Sequence, residues 1–169
     1  PPQPVFAGRA MSSPGGDADP CAAAGAAPFV LVIDGLISAG KTTFIRAVAP
    51  WLEKELGRPV VPVLEPVDEW TRGGHLGGFY AGLKGTDPGG ASYIFQTYAH
   101  VTRVAAFLDA WEKARDCKDS PLFIIERWPT TDRYVFMENL RALVGERDME
   151  KYVRSEEHTS ELQSPDHLV

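Results

Sequence analysis

Cysteine is scarce in this sequence of 169 residues. Cys21 and Cys117 are the two cysteines, and one widely separated pair forms neither a disulfide framework nor a zinc-ligand pattern. The scarcity predicts a reducing compartment, with the cytoplasm as the expected location. No apolar run approaches the roughly 18 residues that a membrane-spanning helix needs, so no membrane partner is expected.

Basic residues are also in the minority. Lys and Arg total 17 against 23 Asp and Glu, which gives a net charge of -6 and a pI near 5.2. Binding along a nucleic-acid backbone needs a basic face, so no nucleic-acid partner is expected. A small phosphorylated ligand remains compatible, because a local cluster of cations can serve it. The balance of 44% hydrophobic and 24% charged residues indicates one globular domain.

The first 27 residues lack hydrophobic periodicity. They are mostly Ala, Pro and Gly, which cannot bury enough apolar surface to offset the entropy lost on ordering, so we expect residues 1–27 to be disordered. A transit peptide stays open as an alternative, although Arg9 alone stands beside Asp17 and Asp19. Met11 is an alternative start of the protein.

The most informative motif is GLISAGKTT at residues 35–43. Its spacing of Gly, four residues and Gly-Lys-Thr is typical of a loop that wraps a polyphosphate with backbone N–H groups at the start of a helix. The apolar run Phe29–Ile33 before it predicts a buried strand. The following helix is predicted to bury one face, made of Phe44, Val48, Leu52 and Leu56. The predicted phosphate-binding residues are Gly35, Ser38, Ala39, Gly40, Lys41, Thr42 and Thr43.

Two more strands are predicted downstream. Val60–Leu64 contains Pro62, which suits an edge strand, and Leu122–Ile125 is the third apolar run. Charged residues follow both strands: Glu65 follows the first, and Glu126 with Arg127 follows the second. Ligands of open parallel sheets bind at the carboxyl ends of the strands, so these side chains are expected beside the glycine-rich loop. The alternation of strands and helices predicts an α/β fold with a parallel sheet.

The helices between and after these strands carry polar residues of interest. Residues 73–90 are rich in glycine and predict a loop or broken helix, and residues 92–115 predict a long helix. In the long helix, Gln96, Ala99 and Arg103 share one stripe beside an apolar face made of Phe95, Val104, Leu108 and Trp111. After the third strand, Thr130 or Thr131 is expected to cap a helix whose apolar face comprises Tyr134 or Val135, Met137, Leu140, and Leu143 or Val144.

Four segments together resemble the deoxynucleoside kinase family, over residues 29 to about 152. They are IDGLISAGKTT at residues 33–43, EPVDEW at 65–70, FQTYAHVTR at 95–103 and IERWPTTDRYVF at 125–136. The resemblance implies a P-loop kinase-type, three-layer α/β fold with a parallel sheet, present here as residues 28–153 and truncated after the third strand and the following helix. It also implies ATP as phosphate donor, Mg²⁺, a deoxyribonucleoside substrate and, as in many relatives, a homodimer.

The resemblance also implies roles for individual residues. Glu65 resembles the general base that deprotonates the 5′-hydroxyl, and Arg127 resembles its partner, which holds the reacting oxygen and phosphate. Thr42 and Glu126 resemble the Mg²⁺ ligands. Residues resembling the nucleoside-binding set are Trp70, Tyr80, Phe95, Gln96, Ala99, Arg103, Asp132 and Phe136, with Tyr80 the weakest match because the stretch before Ser92 is longer here.

Within that set, Ala99, Arg103 and Asp132 resemble members that prefer deoxycytidine and purine deoxynucleosides. An Arg paired with an Asp would fill the space of a thymine methyl group. This predicts that deoxycytidine or purine deoxynucleosides are preferred over thymidine. One departure from the family is Trp128-Pro129, where smaller residues are usual.

The carboxyl end departs further from the family. The string RSEEHTSELQS at residues 154–164 resembles a translated sequencing-library adapter, so residues 154–169 are predicted to be a non-native tail. Family members continue with two more strands and an arginine-rich lid. We therefore expect the first strand to be an exposed apolar edge, and this chain alone to be inactive.

Two alternatives stay open from the sequence. A thymidylate-type nucleotide kinase shares the glycine-rich loop and the Glu/Arg-bearing strand, but it needs extra cations for the phosphate of its substrate. A non-catalytic P-loop module would bind ATP without dependence on an acceptor.

Overall fold

A three-stranded parallel sheet organises the part of the chain that the structure, a computed structural model, describes: residues 29–115, 117 and 119–161. The strands are β1 (Phe29–Ile33), β2 (Val60–Val63) and β3 (Leu122–Glu126), in the order β1-β3-β2. All five residues of β3 are buried, as expected for a central strand. The three predicted strands are present, and Pro62 lies on the edge strand β2, as predicted. The prediction that Phe29–Ile33 is buried was wrong: four of its five residues are exposed, because among the described strands β1 pairs with β3 alone.

Helices cover both faces of the sheet. Leu122 and Ile124 of β3 pack with Ile45 of helix α1 (Lys41–Leu56), whereas Phe123 and Ile125 pack with Phe107 of helix α4 (Pro88–Ala114). Alternate side chains of a strand point to opposite faces, so this division places α1 and α4 on opposite sides. The arrangement is the three-layer α/β fold that was predicted.

The buried face of α1 differs from the predicted one. Ile45 and Ala49 are buried against the sheet, while Phe44 and Leu56 are largely exposed. A period of four drifts around a helix of 3.6 residues per turn, so a stripe spaced by four cannot stay on one face over four turns. The prediction was therefore wrong at both ends of the stripe.

Two short helices connect β2 to α4. They are α2 (Val67–Arg72) and α3 (His75–Gly82), so the predicted loop or broken helix over residues 73–90 contains a helix. Helix α4 begins at Pro88 rather than at Ser92, because Asp87 caps it by accepting a hydrogen bond from Gly90 N at 2.8 Å. These helices place aromatic side chains next to the carboxyl end of the sheet.

The chain after β3 is helical but begins unusually. A π-helical segment, Asp132–Met137, leads into α5 (Glu138–Val144) and α6 (Glu146–Glu161). The wider π turn changes which side chains face inward, and Tyr134 and Val135, predicted in the core, are exposed while Met137 is fully buried. Neither predicted threonine cap is present, since the side chain of Thr131 makes no cap hydrogen bond and Thr130 lies inside the helix.

Both predicted terminal segments stay predictions. Residues 1–27, predicted to be disordered, lie outside the described residues. Helix α6 runs without a break through Arg154, and Arg133 Nη1 donates a hydrogen bond to Glu156 Oε2 at 3.1 Å. The proposed boundary of a non-native tail at about residue 154 therefore falls inside a helix.

Candidate active site

The carboxyl ends of the three strands bring charged side chains together. Asp34 follows β1, Glu65 follows β2, and Glu126 and Arg127 end β3. Parallel strands end at the same edge of a sheet, so residues far apart in the sequence become neighbours there. The sequence predicted this edge as the site, and the structure confirms that its predicted charged residues meet there.

The glycine-rich loop has the backbone that an anion site requires. Gly40 stands directly before α1 with φ of 83°, and Ser38 also has a positive φ, of 63°. No side chain caps the start of α1, so its first N–H groups are available to a ligand at the positive end of the helix. Lys41 is buried and its Nζ donates to Leu36 O at 2.9 Å, which holds the ammonium group inside the loop.

Thr42 and Glu126 meet across the loop. Thr42 Oγ1 lies 2.9 Å and 2.8 Å from the two carboxylate oxygens of Glu126. Hydroxyl and carboxylate oxygens are the ligands that Mg²⁺ prefers, and Mg²⁺ takes only one or two protein carboxylates when it also binds substrate phosphates. The described residues contain no group of three or more His, Cys, Asp or Glu suited to a metal.

Glu65 is held by two arginines. Arg103 Nη2 forms a close ion pair with Glu65 Oε1, and Arg127 Nε lies 3.2 Å from the same oxygen. Both guanidinium groups approach the same carboxylate oxygen, Oε1. The chemistry available at this point is proton abstraction beside fixed positive charge.

Arg127 is fixed by its backbone as well as by its partners. Its φ is 64°, which is rare for a residue with a side chain and costs about 1–3 kcal/mol when the surroundings enforce it. Its N–H donates to Ile33 O at 3.1 Å, so the strained turn leaves β3 bound to the end of β1. This turn directs the guanidinium group toward Glu65 and over the ring of Phe136, 4.9 Å from the ring centroid.

Asp34 is a site residue that was missed in the sequence. Its Oδ1 accepts hydrogen bonds from Gly35 N at 2.7 Å and Arg127 Nη1 at 3.1 Å, and its Oδ2 accepts from Thr131 Oγ1 at 2.5 Å. Burial alone would raise the pKa of Asp34, but the hydrogen bonds from Thr131 and Gly35 and the charge on Arg127 lower it overall. Its position at the end of β1, like that of Glu65 after β2, was the available signal.

A cavity of about 390 Å³ opens beside these charges. Ligand pockets of roughly 300–1,000 Å³ hold drug-sized molecules, so the volume suits a nucleoside. Predicted site residues that line the cavity are Glu65, Trp70, Tyr80, Phe95, Gln96, Arg103, Arg127 and Phe136. Lining residues that were not predicted are Ile37, Val67, Leu76, Phe79, Leu83, Asn139 and Leu140.

Aromatic rings form one wall of this cavity. The rings of Phe79 and Phe95 stack with centroids 4.7 Å apart, and Trp70 meets Phe95 edge-on at 5.6 Å. Trp70 Nε1 donates to Thr102 Oγ1 at 2.8 Å, which fixes the indole plane. Flat, rigid apolar surfaces of this kind suit the face of a heterocyclic base.

The polar stripe of α4 is buried rather than solvated. Gln96, Ala99 and Arg103 are each less than a tenth exposed, and Arg103 Nη1 forms a close ion pair with Asp132 Oδ1. Gln96 and Arg103 line the cavity, whereas Ala99 and Asp132 lie behind it. The predicted pairing of Arg103 with Asp132 is therefore confirmed, and Asp132 acts on the cavity through Arg103.

None of the helices in the described part of the chain combines length with enough hydrophobicity to span a bilayer.

The deoxynucleoside kinase family model matches residues 31–169. Human deoxycytidine kinase is 31% identical over 121 residues, which cover 64% of this chain and 45% of the human protein. "Probable deoxycytidine kinase FPV151" of fowlpox virus is 33% identical over 104 residues (62% and 37%), and "Deoxycytidine kinase 1" of Xenopus laevis is 31% identical over 121 residues (64% and 44%). The chain thus spans less than half the length of these relatives.

Proposed function

This chain belongs to the deoxynucleoside kinase family, and we propose that the protein transfers the γ-phosphoryl group of ATP to the 5′-hydroxyl of a deoxyribonucleoside, a reaction of nucleotide salvage. The observation that carries the proposal is the position of Glu65. Its carboxylate lies between Arg103 and Arg127 and lines a cavity that also presents Gln96 and an aromatic wall.

The reaction assigns one task to each charged group. Glu65 takes the proton of the 5′-hydroxyl, the oxygen forms a bond to the γ-phosphorus, and the bond to the β-phosphate oxygen breaks to release ADP. Phosphoryl transfer depends mainly on positioning and charge neutralisation, so Arg127 and Lys41 contribute cations on either side of the transferred group. The N–H groups of the glycine-rich loop that have no other hydrogen-bond acceptor, together with the start of α1, bind the phosphates.

Thr42 and Glu126 are the residues that would hold Mg²⁺. They fit because both present oxygen atoms at the phosphate loop, within hydrogen-bond distance of each other. Bound Mg²⁺ would supply charge neutralisation at the phosphates.

For the substrate we propose deoxycytidine or a purine deoxynucleoside in preference to thymidine. The support is the polar end of the cavity, where Arg103 is held by Asp132 and Gln96 lies on the same stripe of α4. Gln96 supplies a donor and an acceptor for the edge of a base, and the Arg103–Asp132 pair adds charge-assisted hydrogen bonding. The names of three relatives, each described as a deoxycytidine kinase, support this proposed substrate.

The decisive experiment compares nucleoside phosphorylation by the unaltered sequence and by Glu65→Gln in a longer natural form that contains this chain, because the 169-residue chain alone is proposed to be inactive. Loss of the base should reduce kcat by about 10²–10⁴ while ATP binding is retained. Asp68→Asn, an exposed acid on α2, is the matched control and should retain activity. The proposal fails if every form binds ATP without any nucleoside-dependent turnover, and the substrate preference fails if kcat/KM is higher for thymidine.

A homodimer, a cytoplasmic location and inactivity of the 169-residue chain on its own are further proposals, based on resemblance to the family. Sedimentation and an activity assay of the purified chain test the first and the last of these.

A further inference from the structure

His100 is a buried polar residue to which the proposed reaction gives no task. It lies on α4 between Ala99 and Arg103, is only 2% exposed, and neither of its ring nitrogens makes a hydrogen bond. An unsatisfied buried polar group is costly, so an imidazole at this depth calls for an explanation. Its ring approaches the carbonyl oxygen of Pro129 without meeting hydrogen-bond geometry.

The nearest acidic group to this imidazole is Asp132. His100 Nδ1 lies 3.8 Å from Asp132 Oδ2, and that oxygen is also buried without a hydrogen-bond partner. The other carboxylate oxygen, Oδ1, is bound by Arg103. A donor and an acceptor, both unsatisfied, therefore face each other across a gap that a shift of less than about 1 Å would close.

Two other side chains act on His100. The rings of His100 and Tyr152 of α6 meet edge to face with centroids 6.0 Å apart, and Arg103 brings a positive charge from the same helix. Burial lowers the pKa of His100, and Arg103 lowers it further, while the carbonyl oxygen of Pro129 acts in the opposite direction. The imidazole is thus neutral at pH 7, with one N–H to donate.

We propose that His100 is a positioning residue for base recognition: its Nδ1–H holds Asp132 Oδ2, so that Asp132 keeps the Arg103 guanidinium directed into the cavity. This inference rests on the proposed function. Arg103 contacts both Asp132 and Glu65, so a carboxylate free to rotate would let Arg103 move toward Glu65 alone. The base end of the cavity would then lose its fixed cation.

Three variants separate positioning from packing. His100→Asn keeps an N–H donor near the place of Nδ1, His100→Leu removes every donor at similar volume, and Thr97→Val removes another buried unsatisfied side-chain polar atom of the same helix that does not contact Asp132. Each is compared with the unaltered chain by titration calorimetry with deoxycytidine and, separately, with ATP, and by thermal unfolding.

We expect His100→Leu to weaken deoxycytidine binding about tenfold or more, which is the size of a lost hydrogen bond to a charged group. His100→Asn should stay within about threefold of the unaltered chain, and Thr97→Val should not change binding. ATP affinity should be the same in all four proteins. Thermal unfolding should show that each variant is folded, with His100→Leu melting lower than the unaltered chain because Asp132 Oδ2 loses its proposed donor.

Two results would overturn the inference alone: unchanged deoxycytidine binding in His100→Leu, or equal weakening in His100→Asn and His100→Leu. Absence of deoxycytidine binding by the unaltered chain, with ATP binding intact, would overturn the proposed function and this inference with it.

A second readout does not need the nucleoside. The ¹⁵N spectrum of the imidazole should show the proton on Nδ1 of His100, and the Nε2–H tautomer would contradict the assignment.

Discussion

Thr42 and Glu126 are 84 positions apart in the sequence, yet Thr42 Oγ1 lies 2.9 Å and 2.8 Å from the two carboxylate oxygens of Glu126. The contact joins the first turn of α1 to the last residue of β3. It shows that the glycine-rich loop and the central strand converge on one point. Thr42 and Glu126 would hold a cation bound there, in place of their hydrogen bond.

The first prediction concerns the binding of a cation by Thr42. Thr42→Val removes the hydroxyl group at nearly constant shape, so the affinity for ATP with Mg²⁺ should fall about tenfold or more, whereas the affinity for ATP in EDTA should change little. Titration calorimetry under both conditions measures the difference. Thr71→Val, at an exposed position of α2, is the control. An equal loss with and without Mg²⁺ would contradict a role of Thr42 toward the metal.

The second prediction concerns the buried ion pairs of Arg103. Arg103→Met leaves the carboxylates of Glu65 and Asp132 buried without their shared partner, so the free energy of unfolding should fall by about 3–5 kcal/mol. Arg103→Met combined with Asp132→Asn should recover part of that loss, because one unpaired charge is removed. Urea unfolding with a constant m-value measures both.

Lys113→Ala is the control for the Arg103 variants. It breaks the ion pair of Lys113 with Asp109, whose side chains are 73% and 63% exposed, and solvent screening makes such a pair contribute little. If Arg103→Met lowers the free energy of unfolding no more than Lys113→Ala does, the buried ion pairs of Arg103 do not stabilise the fold as their geometry indicates.

Much of this site could be predicted because its chemistry lies at the ends of strands. Glu65 and Glu126 could be placed on one edge from three apolar runs and the rule for parallel sheets, and the pairing of Arg103 with Asp132 followed from resemblance. The same rule applied to β1 would have included Asp34. Its hydrogen bond with Arg127 joins residues 93 positions apart, so no local pattern indicates it.

Other parts of the fold and the site could not be predicted from the sequence because they depend on packing. No local sequence pattern in residues 132–137 predicts a π-helical segment. The ordinary helix period of about 3.6 therefore predicted that Tyr134 or Val135 faces inward, whereas both are exposed. Phe79 stands in a glycine-rich stretch without periodicity, and only the fold of α3 against α4 stacks it on Phe95. Tertiary contacts, rather than local propensity, decided both outcomes.

The third prediction concerns pH. Burial lowers the pKa of folded His100 below its ordinary value of 6.5, so below pH 6.5 the unfolded chain binds a proton that the folded chain does not. The free energy of unfolding should therefore fall as the pH drops from 6.5 toward the folded pKa, by at most about 1.4 kcal/mol per pH unit from this group. Urea unfolding at a series of pH values measures the slope.

His100→Leu should flatten the slope in that window, whereas Thr97→Val should keep it, since a threonine does not titrate. The groups that face His100 are Asp132, Arg103 and Tyr152. An unchanged slope in His100→Leu would show that another group causes the pH dependence.

The last prediction concerns the exposed edge of the sheet. Among the described strands β1 pairs with β3 alone, and Val30 and Leu31 remain 43% and 42% exposed, while Arg58 covers the neighbouring ring of Phe29 at 4.7 Å. Unpaired N–H and C=O groups beside apolar side chains favour pairing with another chain, so the purified chain should self-associate at micromolar concentrations.

Val30→Lys should reduce the association measured by sedimentation velocity, because charges on adjacent edges repel. Val101→Lys, at a comparably exposed position on α4, should leave it unchanged. A chain that stays monomeric over a hundredfold range of concentration, or equal effects of the two lysines, would show that β1 is not the associating surface.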